Sequence, residues 1–394
     1  MLTRFLRLGP LLDAAREVRA RTGKSLRSQG AEILALRRGP GRMGATQYYA
    51  FGLYDPARYS AGQRAEFAAW DWDEVGGRLN APAAAALCDD KLVTDSVLRG
   101  LGLPVPDLVA LYHPGTRAHG AVPTFRTVGA LADFLRTGAP YPLFGKPVRD
   151  RQGAGASSLD GYDAGGDRLL HPHGKSTPVD QFVREVPGAH YAGALDRDEA
   201  DPAGYLFQRR VALHPDLARV SGGRTCCLRL VILLHPDGPR LFRAVLKLAV
   251  GANIVDHGTI GYGNISTLVD RTTGRVALAF QVRGPEGPGP SPLSRFGAPA
   301  EVHPDTGIPV LGLRVPLWEE AVALTLRAAA MLPQVRFQSW DLLLGPDGPV
   351  LLELNRRGGL QQLPGGPGFN DAEFRAFRAA WNGTATGARN GQPR

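Results

Sequence analysis

Trp340-Asp341-Leu342-Leu343-Leu344-Gly345-Pro346-Asp347-Gly348-Pro349-Val350-Leu351-Leu352-Glu353-Leu354-Asn355 consists of two apolar runs around a turn. The Gly-Pro-Asp-Gly centre is a hairpin signal, and the flanks read as strands. Glu353 and Asn355 stand two apart, so both side chains leave one face of their strand. With the hairpin centred on Asp347, Leu343 pairs with Leu351 and Asp341 with Glu353. Like charges directly opposite on a sheet are unfavourable unless something neutralises them. Oxygen ligands from Asp, Glu and Asn on one face are what Mg2+ prefers, with phosphate oxygens completing its shell. The alternative is a solvent-facing polar row.

Working back from the hairpin, 205–213, 226–234, 241–250, 266–269 and 276–281 read as strands, and 318–331 as a helix crossing to the final pair. His235-Pro236-Asp237-Gly238 is a second hairpin turn. This block reads as a largely antiparallel sheet with helices, closed by a helix over 371–381. Before it, a helix from Asp89 to Leu98, a strand over 108–112, a helix over 128–137 and a strand over 142–148 alternate, as in an α/β lobe. Earlier still, 11–38 reads as two or three amphipathic helices and 63–72 as another. The Tyr48-Tyr49-Ala50-Phe51 run reads as packing for these helices.

Three further stretches carry candidate chemistry. Lys146 ends a strand in Phe144-Gly145-Lys146-Pro147. The run Gly153-Ala154-Gly155-Ala156-Ser157-Ser158 follows, a loop that can turn backbone N–H groups toward phosphates. It is not a Walker A motif, and the Gly-Lys-Ser triplets at Gly23 and Gly174 lack the glycine five positions earlier. Tyr205-Leu206-Phe207-Gln208-Arg209-Arg210-Val211 is an apolar strand with a polar end, able to offer backbone groups to an adenine edge. Arg229 lies inside a strand beside Leu228 and Leu230, where a charge needs a partner or a ligand. Cys226 and Cys227 beside it read as packing.

The chain has 394 residues, enough for two or three lobes at roughly 150 residues each. No apolar run approaches the ~20 residues of a membrane span, so no span is expected. Three cysteines make no disulfide framework, and the reading is cytoplasmic. The net charge is +9, but the arginines are scattered among acids and apolar residues, so no specific nucleic-acid partner is expected. Only Lys24, Lys91, Lys146, Lys175 and Lys247 are lysines, so each stands where arginine's planar fork was not used.

The order of these signals resembles the ATP-grasp superfamily, and more narrowly the group called sugar-transfer-associated ATP-grasp proteins. Asp90-Lys91 before a helix, Gly145-Lys146-Pro147 with its glycine loop, Phe207 to Val211, Arg229, and Asp341 with Glu353-Leu354-Asn355 occur in that order. The resemblance covers about residues 45 to 365. It implies an α/β (α+β) ATP-grasp fold in which two lobes clasp ATP, with a helical N-terminal extension. The expected division is 1–85 for the helical region, 86–204 for the N-lobe, 205–382 for the C-lobe with the metal site, and 383–394 for a flexible tail.

The resemblance also implies roles. Lys91, Lys146 and the loop carrying Gly153, Gly155 and Ser157 would hold ATP phosphates, and Gln208, Arg209 and Val211 would line the adenine hinge. Asp341, Glu353 and Asn355 would bind Mg2+. Arg229, Lys247, Asp256 and His257 would be the catalytic set, with Arg229 facing the γ-phosphate. The implied reaction is Mg·ATP-dependent ligation of a small-molecule, sugar-linked or peptide-linked carboxylate to an amine or thiol through an acyl phosphate. The alternatives are phosphotransfer to a hydroxyl and a non-catalytic ATP-binding module. The Val255-Asp256-His257-Gly258 segment departs from the group's usual Asp-Asn pair. Oligomeric state stays open.

Overall fold

Pro236-Asp237 and Pro346-Asp347 each close a two-residue turn, and the strands beside them pair antiparallel. The computed structural model describes residues 8–69, 79–82, 84–120, 122–149, 153–189, 204–255, 263–283, 296–356 and 362–387. Four helices come first: α1 (Leu8–Thr22), α2 (Leu26–Arg38), α3 (Ala45–Ala50) and α4 (Ala61–Ala65). Next are α5 (Ala84–Asp89) and α6 (Lys91–Gly100). The helix expected over 63–72 ends at Ala65, and its last residues, 70–72, lie outside the described residues.

Among the described residues, a five-stranded sheet runs in the order β2-β1-β8-β3-β4. Its strands are β1 (Leu108–Tyr112), β2 (Thr124–Phe125), β3 (Leu143–Pro147), β4 (Ser157–Leu159) and β8 (Tyr205–Arg209). Between β4 and β8, a three-stranded sheet is built from β5 (Gly161–Asp163), β6 (Arg168–Leu170) and β7 (Ser176–Pro178). Helices α7 (Val128–Thr137) and α8 (Val179–Val183) cover the five-stranded sheet, burying Leu131, Leu135, Val179 and Phe182 against Tyr205 and Phe207. This corrects one expectation. Tyr205–Arg209 pairs with β1 and β3, so it belongs with the second block and does not open the third.

The third block follows α9 (Pro215–Ser221). Its seven-stranded antiparallel sheet runs β13-β12-β11-β10-β9-β14-β15. The strands are β9 (Cys226–His235), β10 (Gly238–Leu248), β11 (Ile265–Val269), β12 (Val276–Val282), β13 (Phe296–Pro299), β14 (Phe337–Gly345) and β15 (Gly348–Asn355). Helix α10 (Trp318–Ala330) buries Trp318, Ala321, Leu324 and Ala328, a helical stripe, against Leu228, Leu230, Leu246, Trp340 and Leu342 on one face of this sheet. Helix α11 (Ala372–Gly387) packs Phe374 and Phe377 against Val231, Leu233 and Phe337.

The N-terminal helices dock on the same sheet. Tyr48, Tyr49, Phe51 and Phe67 are buried with Phe280, Phe296 and Leu363, so the aromatic run packs as its composition suggests. Cys226 and Cys227 are buried and unbridged.

Candidate active site

The register of the β14–β15 hairpin decides which of its side chains share a face with Arg229. Gly345 pairs with Gly348, Leu343 with Val350 and Leu342 with Leu351. Continued without interruption, this register would put Glu353 beside Trp340, on the core face. A bulge at Leu352 inserts one residue, and Asp341 then pairs with Glu353. The bulge also explains why Leu351 and Leu354, three apart, are both buried. The expected Asp341–Glu353 pairing is therefore present, but the expected Leu343–Leu351 pairing is not.

Across β9, β14 and β15, Arg229, Asp341 and Glu353 form one row of directly opposed residues. Lys247 of β10 and Asn355 of β15 flank it. Arg229 grips Asp341 with both arms of its guanidinium, Nε donating to Oδ1 at 2.7 Å and Nη2 to Oδ2. Lys247 Nζ lies 3.4 Å from Asp341 Oδ1. Asn355 Nδ2 donates to Glu353 Oε1 at 2.9 Å and reaches Asp341 Oδ2 at 3.4 Å. Burial alone would raise the Asp341 pKa, but the Arg229 and Lys247 charges reverse this and hold it far below the usual carboxylate range.

Asp341 is thus paired with the protein's own cations. The donor set still suits a hard divalent cation. Glu353 is half-buried beside the Asn355 amide, and Asp341 is shared with Arg229.

Further candidate residues stand on the five-stranded sheet. Phe144, Gln208 and Lys146 share one of its faces, because Phe144 pairs with Gln208 and Lys146 lies two residues on. The Lys146 ammonium makes no hydrogen bond or ion pair among the described residues. Burial, with the nearby Lys91 charge, pulls its ammonium down to about 8, against the pull of Glu353, Asp95 and Asp341. These charges couple Lys146 electrostatically to the carboxylate row. Lys91 opens α6, its backbone N–H bonding Val148 O at 3.1 Å. Arg209 is exposed, and Val211 leads into a segment whose His214 N–H bonds Leu344 O at 2.7 Å, tying this segment to the hairpin.

Ser157 is placed differently from its expected role. It pairs with Gly145, so it leaves the face opposite Lys146, and its hydroxyl is 2.8 Å from the buried Tyr205 hydroxyl. A Cβ at Gly145 would come within 2.6 Å of Ser157 Oγ and 2.7 Å of the Tyr205 ring, so only glycine leaves room for this contact. Tyr205 also donates to Gly155 O at 2.8 Å, so the pair anchors the base of the glycine loop. Gly153 and Gly155 have φ of +77° and +69°, conformations that favour glycine.

Three sets of contacts were not legible in the sequence. Asp90 caps α6 through the N–H groups of Leu92 and Val93 and accepts both arms of Arg117 at 2.7 and 2.8 Å and Arg149 at 3.1 Å. Arg117 is presented by a loop whose carbonyls of His113 and Arg117 accept from Arg126. The buried Asn264 accepts from Val250 N–H and the Asn253 amide and donates to Val255 O, at 2.8–2.9 Å, bracing the Val250–Val255 loop. Val255 abuts the glycine loop: a Cβ at Gly153 would lie 2.9 Å from Val255 Cγ1. An Asx N-cap signature ahead of Lys91 was the one legible hint among these. Asp256 and His257 lie outside the described residues.

A sequence model of the family described as sugar-transfer associated ATP-grasp matches residues 73–374. A comparison with curated proteins finds no match. Similar solved structures include an L-amino acid ligase from Bacillus licheniformis, at 14% identity and TM-score 0.34, covering 69% of this chain and 41% of that one. The ATP-grasp ligase PsnB with a minimal precursor is 16% identical, with TM-score 0.35 and coverage of 79% and 66%. The D-Ala:D-Ser ligase VanG from Enterococcus faecalis is 12% identical, with TM-score 0.39 and coverage of 77% and 64%. The chain therefore spans less than two thirds of each of these proteins. With a family match over most of its length, the chain belongs to the sugar-transfer associated ATP-grasp family and has the ATP-grasp fold.

Proposed function

We propose that the protein is an Mg·ATP-dependent carboxylate–amine (or thiol) ligase acting through an acyl phosphate. The observation that carries this reading is the Arg229–Asp341–Glu353 row, with Lys247 and Asn355 beside it, within electrostatic reach of Lys146 on the five-stranded sheet. Lys91 and Lys146 hold the triphosphate by charge, under a glycine loop anchored by Tyr205. Phe144, Gln208, Arg209 and Val211 border the base. A divalent cation held through Glu353, Asn355 and Asp341 supplies charge neutralisation for the phosphates when bound.

An oxygen of the acid substrate attacks the γ-phosphorus, the bond to the β–γ bridging oxygen breaks, and ADP leaves with that oxygen. Arg229 balances the charge on the group in flight, and positioning does the rest. The nucleophile then attacks the acyl carbon, phosphate leaves with the electrons of the C–O bond, and the nucleophile's proton passes to a base. Asp256 and His257 are the candidates for that base on sequence grounds.

Incubation with Mg·ATP, candidate acids and hydroxylamine should yield a hydroxamate with one ADP per product. The family's description names sugar transfer, which favours a hydroxyl acceptor as the second reading. A stable phosphorylated alcohol without hydroxamate would establish that reading in place of the ligase.

A further inference from the structure

The net charge of the chain is concentrated at one end. Residues 8–45 hold eight cations and three acids, and Arg4 and Arg7 add two more, so seven of the nine net charges precede residue 46. Such asymmetry points to a charged partner surface. The acids there are already engaged: Asp13 with Arg16, Glu17 with Arg21, and Glu32 with Lys24, Arg64 and Tyr48. Arg19, Arg27 and Arg38 are exposed and form no ion pair among the described residues.

Apolar side chains stand on the same two helices. Leu12 of α1 is 51% exposed, and Leu26 and Leu34 of α2 are 41% and 48% exposed. Leu26 and Leu34 are eight residues apart, with exposed Gly30 midway, so they lie on one face of α2 that ends in Arg37 and Arg38. The opposite faces are satisfied: Ala14, Ala15 and Val18 are buried, and Gln29 bonds Ala15 O and the Tyr49 hydroxyl. The helix pair is thus fastened to the body of the protein and leaves arginine and leucine outward.

We infer that the α1–α2 face docks on an anionic lipid surface. Helices that lie in a membrane interface combine a strongly cationic character with leucines that enter the acyl boundary. Each arginine near an anionic leaflet adds to binding, and salt weakens it. A nucleic-acid duplex would take the arginines but offers little to receive three leucines. A second copy of this chain would bring two strongly positive faces together.

The test is sedimentation of the full-length protein with phosphatidylcholine vesicles and with vesicles of three parts phosphatidylcholine to one part phosphatidylglycerol. Binding to the anionic vesicles alone, weakened by added salt, is expected. The variant R19Q/R27Q/R37Q/R38Q should lose at least about a hundredfold in affinity. L12S/L26S/L34S, with charge unchanged, should lose about tenfold or more. Both variants should keep the wild-type melting temperature to within a few degrees, showing that they fold. Equal sedimentation with both vesicle types, no binding to either, or retention by duplex DNA at physiological salt in its place would overturn the inference. So would a leucine variant that alters oligomeric state but leaves vesicle binding unchanged.

Discussion

Replacing Asp341 by asparagine should lower stability by about 3–5 kcal/mol and remove measurable turnover. The carboxylate is 4% exposed, and it is the common partner of Arg229 and Lys247. Asparagine is nearly isosteric but carries no charge, so two cations in a poorly hydrated site would lose the carboxylate they share. Chemical denaturation of the wild type and variant measures the difference. The double variant Arg229→Met/Asp341→Leu removes the bidentate pair together but leaves Lys247 without Asp341, so it should recover only part of the stability, with none of the activity. A single variant as stable as the wild type would mean that the ion pair does not hold this row together.

Lys146→Met should act in the opposite direction on stability. The ammonium is half-buried without a bonded partner, and burial lowers its pKa from 10.5 to about 8. Between those values the unfolded chain binds the extra proton, so this group makes stability rise with pH from about 8 to 10.5. Below about 8 its full penalty is present. At pH 7 the methionine variant should therefore be more stable without ligand, on the order of 1–2 kcal/mol after allowing for partial hydration. It should also lose most of its affinity for ATP.

In the wild type, ATP affinity should fall by about tenfold from pH 7 to pH 9 as the ammonium deprotonates. Lys146→Arg should bind more weakly at pH 7, since its planar fork does not mimic a compact ammonium, but without this slope. Calorimetric titration at the two pH values reads both effects. A pH-independent wild-type affinity would remove Lys146 from the phosphate site.

The fold was legible where side-chain period and turn chemistry agree. The hairpins at Asp237 and Asp347, the helix at Val128 and the strand at Leu108 fall where alternation and Pro-Asp-Gly signals put them. Strand β8 was assigned to the wrong sheet because its pairing is set by long-range partners, β1 and β3, which no local pattern reveals. The Asp341–Glu353 pair was found by assuming a symmetric turn. The actual route is a tighter turn plus a bulge, and a bulge has no strong sequence signature when the inserted residue is one leucine among several.

Ser157 was misjudged by one position of strand period, since Ser158 is the neighbour that shares a face with Lys146. Arg117 and Arg149 were invisible because loop arginines are common in this chain, and only the fold brings them to Asp90.

The central claim is that the carboxylate row and the lysines Lys91 and Lys146 hold Mg·ATP between them. Melting temperatures of the wild type and Glu353→Gln, each with and without Mg·ATP, test it most directly. Asp341 is already neutralised by Arg229 and Lys247, and glutamine can still accept the Asn355 bond, so the two proteins should melt alike without ligand. At a concentration one hundred times its Kd, Mg·ATP should stabilise the wild type by about 2.7 kcal/mol, a shift of several degrees. The variant, short of one charge toward the metal, should shift by less than half as much at the same concentration. Equal shifts in the two proteins would contradict the metal assignment and the active site built on it.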